Sequence, residues 1–221
     1  MDIPRNTSEV FERLPNLFLG YFLCSLGIVT NLYANLGTGP WSLFHVGLAN
    51  ITGLTLGQIT QIVGLVIIII SWKLGNEPGL GTIANIVFIG LFIDLIIFVG
   101  IIPFQTQLIW QMFQLILSII ITAIGALFYL RTQLGAGPRD GLMVVLTRIL
   151  DKPVSYVRIP MDILVSLMGY FLGGPLGLGT IITAIGLGYF MQLFFKIGKF
   201  NSKSKQLSLL ELIRVRVKKS P

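Results

Sequence analysis

Leu36-Gly37-Thr38-Gly39-Pro40 returns 98 residues later as Leu134-Gly135-Ala136-Gly137-Pro138. A second marker, Gly79-Leu80-Gly81-Thr82-Ile83, returns at the same offset as Gly177-Leu178-Gly179-Thr180-Ile181. Between these markers no gap is needed. Of the 62 residues from Leu36 to Ile97, 17 recur unchanged between Leu134 and Phe195. An internal duplication outranks any local motif, because it sets the architecture in which local motifs sit.

Composition decides the solvent. The 221 residues are 54% hydrophobic and 11% charged, against about 25% charged in an ordinary soluble domain. Such a chain cannot cover a water-facing surface and must be solvated by the lipid bilayer. The net charge of +7 does not point to nucleic acid, because the basic residues flank apolar runs instead of gathering on one soluble domain. The single cysteine, Cys24, lies within an apolar run and excludes an intramolecular disulfide.

Six runs reach the roughly 17–25 residues that a spanning helix needs: 14–35, 55–74, 81–103, 107–130, 154–172 and 178–197. The first is too long for the core of a signal peptide, and no small-residue cleavage site follows it. Arg5, Arg13, Lys73, Arg131, Arg139, Arg148, Lys152 and the basic tail then fall on one side. The opposite segments, 36–54, 103–106 and 173–177, contain no Lys or Arg. That asymmetry places both termini in the cytoplasm. The expected organisation is a cytoplasmic N-terminus (1–13), a first three-span repeat (14–103), a second (107–200) and a basic cytoplasmic tail (201–221). Three spans per repeat turn the second copy upside down. The expected fold is therefore an all-α integral membrane protein of six transmembrane helices in two inverted repeats.

Pro at a first helical position starts a helix, since its missing N–H would be unpaired there anyway. Pro40 and Pro138 therefore open short helices after the first span of each repeat. Neither is long enough to cross, so each is an interfacial helix or a half-helix dipping into the bilayer. Trp41 reads as an interface anchor. In the tail, Leu209, Leu210, Ile213 and Val217 share one helical face beside six basic residues, the pattern of a helix lying on an anionic leaflet.

Polar residues at membrane depth narrow the site. Gly20, Cys24, Gly27 and Asn31 form one helical face, and Gly57, Gln61, Gly64 and Ser71 another. Small residues on such faces are expected to pack helices together. An ionisable residue at the bilayer centre costs at least roughly 2.5–3.5 kcal/mol on insertion scales, so Asp94, Arg158 and Asp162 are candidates for binding substrate or a proton. Asn31 and Gln61 join them. Arg158 and Asp162, four residues apart, form either a functional pair or a structural lock. Gly39, Pro40, Gly137, Pro138, Arg139 and Asp140 are gate or helix N-terminus candidates, where free N–H groups and Arg139 would meet an anion. Asp140 also has a plain role as a dipole-complementing cap. His45, beside Trp41 and Phe44, reads first as an interfacial residue and only second as a proton relay.

The sequence lacks a metal-ligand cluster, a phosphate-cradling loop and a nucleophile elbow. Neither an enzyme nor a bound metal or cofactor is expected.

Gly37 to Trp41, His45 to Leu48, Pro78 to Thr82, Gly135 to Met143, Val157-Arg158 and Gly173 to Thr180 together resemble the YczE-like branch of the YczE/YyaS/YitT family of bacterial membrane proteins. Ser42 and Asp162 depart from that pattern, where an acid and a longer Glu look usual. The resemblance implies a multi-pass protein of the bacterial cytoplasmic membrane and brings no agreed activity with it. The function expected from the residues is a secondary transporter or permease of a small solute, working by alternating access and coupled to protons. The alternative is a non-transporting scaffold or regulatory partner, docking through its basic tail. A homodimer is a further expectation, since small repeat proteins can pair to enclose a path.

Overall fold

A computed structural model describes residues 7–152, 154–200 and 206–211. Among them the chain is all helix and turn: α1 (Thr7–Tyr33), α2 (Pro40–Thr52), α3 (Leu56–Lys73), α4 (Leu80–Val99), α5 (Leu108–Arg131), α6 (Pro138–Leu150), α7 (Val154–Phe171) and α8 (Leu178–Ile197). Both bounds of α2, α3 and α4 recur 98 residues later in α6, α7 and α8, and α1 and α5 end at the same offset. The stop signals recur too. Gly53 closes α2 and Asp151 closes α6, each in the left-handed region. Gly79 and Gly177 each donate their N–H to the hydroxyl of the threonine three residues on, at 3.1 and 3.2 Å.

The centre of the fold is α1 against α5. Tyr21, Leu17, Val29, Leu115 and Ser118 are fully buried there. A Cβ on Gly20 would meet the backbone of Tyr129, and one on Gly125 the backbone of Cys24. Cys24 Sγ points at Thr122 O, and Asn31 Nδ2 donates to Ser118 Oγ at 3.0 Å. Ascending positions on α1 meet descending positions on α5, so the two helices are antiparallel. The face expected to be a packing stripe is one, and small residues let the backbones approach.

The loops that carry the sequence markers lock together reciprocally. Gly81 N donates to Leu134 O and Gly179 N to Leu36 O, both at 2.7 Å. Gly37 and Gly135 sit at φ +97° and +136°, conformations that disfavour any residue with a Cβ. A Cβ at Gly37 would also lie 2.5 Å from Gly177 N.

Among the described residues five helices are long and apolar enough to cross a membrane: Ser8–Tyr33, α3, α4, α5 and α8. Large apolar side chains such as Phe98, Ile109 and Phe171 are at least 80% exposed, as only lipid can cover them. The expected span at 154–172 coincides with α7. Arg158, Pro160 and Asp162 fall within its 18 residues, and it is not among the five. The first helix also departs from expectation. It starts at Thr7, so residues 7–13, expected as tail, are helical and run through Pro15. Arg13 Nη1 donates to Thr132 O at 3.0 Å, which ties this early turn to the end of α5.

Most of the basic tail, including Ile213 and Val217, lies outside the described residues. The described part docks on the protein. Leu207 is buried and donates its N–H to Gln133 O at 2.9 Å, while Leu209 N donates to Pro78 O at 3.0 Å.

A candidate binding cavity between two short helices

A cavity of about 170 Å³ lies where α2 and α6 point their N-terminal ends at one another. Gly39 and Gly137 are the caps, Pro40 and Pro138 the first helical residues, and no side chain caps either helix. The first-turn N–H groups have no partner within their own helix, and the helix dipole makes both tips electropositive. At the contact, the Arg139 guanidinium lies 5.9 Å from the centroid of the Trp41 ring. These two residues occupy the same place in the two copies.

Each tip is held by matching positions. Asn31 Oδ1 accepts from Gly39 N at 3.3 Å, and its Nδ2 donates to Ser118 Oγ and Thr183 Oγ1, both at 3.0 Å. On the other side Tyr129, the counterpart of Asn31, donates its hydroxyl to Asp140 Oδ2 at 3.2 Å. Gly137 faces Asn85, the counterpart of Thr183. All these residues line the cavity.

Trp41 is not an interface anchor. It is 8% exposed, and its Nε1–H donates to Asp162 Oδ1 at 3.1 Å. The ring faces inward because α2 packs its side along α7, Phe44 and Gly47 against Gly169 and Trp41 in one cluster with Val165. Asp162 also faces Arg158, with Nε–Oδ2 at 3.6 Å. One carboxylate thus holds both the indole of α2 and the guanidinium of its own helix. Among the described residues no carboxylate pairs with Arg139, whose contact is the Trp41 ring. His45 lines the cavity as well. Its Nδ1 lies 3.2 Å from Thr60 Oγ1, and its Nε2 is buried without a hydrogen-bond partner among the described residues.

Of the residues singled out from sequence, the structure brings Asn31, Gly39, Pro40, Gly137, Pro138, Arg139, Asp140, Arg158 and Asp162 to one cavity. Asp94 and Gln61 stand apart from it. Asp94 accepts from Thr55 Oγ1 at 2.5 Å and from Gly57 N at 2.8 Å, tying α4 to the first turn of α3. Gln61 Nε2 donates to Val87 O at 3.0 Å, across the same α3–α4 seam. Asn85, Tyr129 and Thr183 were not singled out as binding residues. The 98-residue offset carries the signal for them, since it pairs Tyr129 with Asn31 and Thr183 with Asn85. No group of three or more His, Cys, Asp or Glu side chains that could hold a metal ion occurs among the described residues.

Apolar helices with lipid-facing surfaces around a partly open cavity that carries polar side chains define a membrane protein. The chain belongs to the family described as "Family of unknown function (DUF6198)", whose model matches residues 11–196. It is 34% identical over 179 residues to an uncharacterized protein of Haemophilus influenzae, covering 80% of this chain and 81% of that one. It is 33% identical over 186 residues to the uncharacterized membrane protein YczE of Bacillus subtilis, covering 83% and 86%. The uncharacterized protein YyaS of the same organism is 25% identical over 189 residues, covering 85% and 94%. No solved structure matches.

Proposed function

We propose that this protein is a secondary transporter of a small solute and not an enzyme, with its substrate site in the cavity between the tips of α2 and α6. The observation that carries the reading is the convergence of two half-length helices, equivalent in the two copies, on one cavity. Half-helix N-termini aimed at a buried site are how many transporters hold polar substrate groups without exposing irregular backbone to lipid.

In this reading α7 is the sixth span. Its Arg158 and Asp162 face the cavity and not lipid, which lowers their cost. The two three-span repeats are inverted, as the antiparallel α1–α5 contact and the reciprocal loop bonds support. Both termini lie in the cytoplasm of a bacterial cell.

Alternating access has its own support in the way the two copies differ. In the first, α3 packs on α4 through Asp94, Gln61 and Gly90. In the second, α7 and α8 scarcely touch, and a Cβ at Gly188, the counterpart of Gly90, would meet nothing within 4 Å. The closed seam lies toward the outer side and the open one toward the cytoplasm, which describes a cytoplasm-open state. Exchanging the two arrangements between copies gives the outward-open state.

The test is uptake by purified protein in proteoliposomes, with and without a pH gradient. Solute-driven flux that is dissipated by collapsing the gradient supports proton-coupled transport. Flux that Asp162→Asn retains in full rejects a part for that carboxylate, through its bonds to Trp41 and Arg158, in the working site. Absence of flux across a broad solute panel rejects the transport reading.

A further inference from the structure

We propose, building on the transport reading, that the cavity takes a small organic monoanion of the carboxylate type together with one proton, and that the proton resides on His45 Nε2.

The anionic end follows from the donors. Two uncapped helix tips present free backbone N–H groups to one cavity, a geometry that binds carboxylate and phosphate groups. Arg139 stands between them with no carboxylate partner among the described residues. Arg139 is an exposed residue, open to a ligand, and a planar carboxylate matches its fork. The organic end follows from the apolar part of the lining, where Leu56, Ile67, Ile86, Ile89 and Met161 face the same space. At about 170 Å³ the cavity has room for a small organic solute.

The proton follows from charge and from the histidine tautomer. The ionisable groups on the wall are Cys24 on α1, His45 on α2, Tyr129 on α5, Arg139 and Asp140 on α6, and Arg158 and Asp162 on α7. α3, α4 and α8 contribute none. Two arginines against two aspartates leave the empty cavity formally neutral. An anion alone would leave a net charge in an apolar interior, and one proton restores balance. His45 is built to receive it. Thr60 Oγ1 lies 2.8 Å from Leu56 O and 3.2 Å from His45 Nδ1. With its one hydrogen on the shorter contact it accepts from Nδ1–H, the arrangement that leaves the Nε2 lone pair free. Nε2 is the buried ring atom that lacks a partner. Burial first and Arg139 second oppose a charge on His45 in the empty site, and an anion beside Arg139 removes the second of these. Anion and proton therefore promote each other's binding, and the coupling is reciprocal.

The chain has one histidine, so ¹⁵N-histidine NMR on the full-length protein, purified through a non-histidine tag, reads this group alone. The expected spectrum without ligand at pH 7 is the neutral Nδ1–H tautomer, and sodium propionate at pH 6 shifts it to imidazolium. Calorimetry should show propionate affinity rising about tenfold per pH unit on acidification. His45→Gln should abolish that slope while keeping weak binding, and Arg139→Gln should lose at least tenfold at every pH. A ring that stays neutral at saturating propionate, or the Nε2–H tautomer in the empty protein, overturns the proton assignment. Failure of propionate to bind at any pH, or an equal response to sodium chloride, overturns the substrate class. Propionate binding with protonation but no flux in proteoliposomes upholds this inference and sinks the transport reading. Flux of another solute without propionate binding does the reverse.

Discussion

Trp41 and Arg139 occupy the same position in the two halves of the chain and touch each other, ring centroid to guanidinium carbon, at 5.9 Å. Cys24 and Thr122, also 98 residues apart, meet in the same way, through Sγ and a backbone carbonyl. The candidate site therefore lies where two changed copies of one segment face each other. That arrangement lets one binding site be built from unlike residues, an indole from one copy and a guanidinium from the other.

Trp41→Phe separates the indole's two roles. The aromatic face under Arg139 survives, while the N–H donated to Asp162 is lost. A hydrogen bond to a charged group contributes about 1.5–3 kcal/mol, and the partial exposure of Asp162 puts the expected loss near the low end, about 1–2 kcal/mol. Thermal unfolding in detergent should show a modest drop for Phe and a larger one for Ala. Equal drops would mean that the ring, and not the N–H, supplies the stability.

The glycines at the loop locks should divide sharply by surroundings. Gly37→Ala combines left-handed strain with a Cβ 2.5 Å from Gly177 N. Strain of about 1–3 kcal/mol plus overpacking of about 1–3 kcal/mol should prevent stable accumulation. Gly53→Ala carries the same sign of φ with nothing within 4 Å. It should cost only about 1–2 kcal/mol, and Gly53→Asn less. Size-exclusion profiles and yields compare them directly.

The seam asymmetry is accessible to cross-linking in a Cys24→Ala background. Gln61→Cys with Val87→Cys spans the closed α3–α4 seam, where the native side chain reaches Val87 O. Ile159→Cys with Ile185→Cys occupies the matching positions on α7 and α8, where both native residues are exposed. Mild oxidation should bridge the first pair at least several-fold faster than the second. Asp94→Asn weakens the bonds to Thr55 and Gly57 and should narrow that difference by slowing the first reaction.

Much of the fold was legible because helices in lipid must be long, apolar and regular. The duplication set the offset, and the start signals at Pro40 and Pro138 fall at observed helix starts. Three features resisted reading. Residues 7–13 carry Glu9, Glu12 and Arg13 and look like tail, yet tertiary contacts from Arg13 keep them helical. Asp94 looked like a lone charge in an apolar helix. Its partners, Thr55 and the backbone of Gly57, come from a different helix and leave no local pattern. Trp41 looked interfacial because Trp commonly is, and only the packing of α2 along α7 makes it a wall of the cavity. His45 carried too little signal for a firm role, since its meaning depends on Thr60, fifteen residues away, spending its one hydrogen elsewhere.

The claim on which the rest depends is that the two halves run in opposite directions through the bilayer, and two equivalent loop residues measure it. Leu54 and Lys152 are 98 residues apart and both exposed. In a Cys24→Ala background, Leu54→Cys and Lys152→Cys are each treated on intact cells with a membrane-impermeant maleimide. The expected result is labelling of the first without permeabilisation, and of the second only after it. Labelling of both from the same side would contradict the inverted arrangement, and with it the site between the helix tips as a route across the membrane.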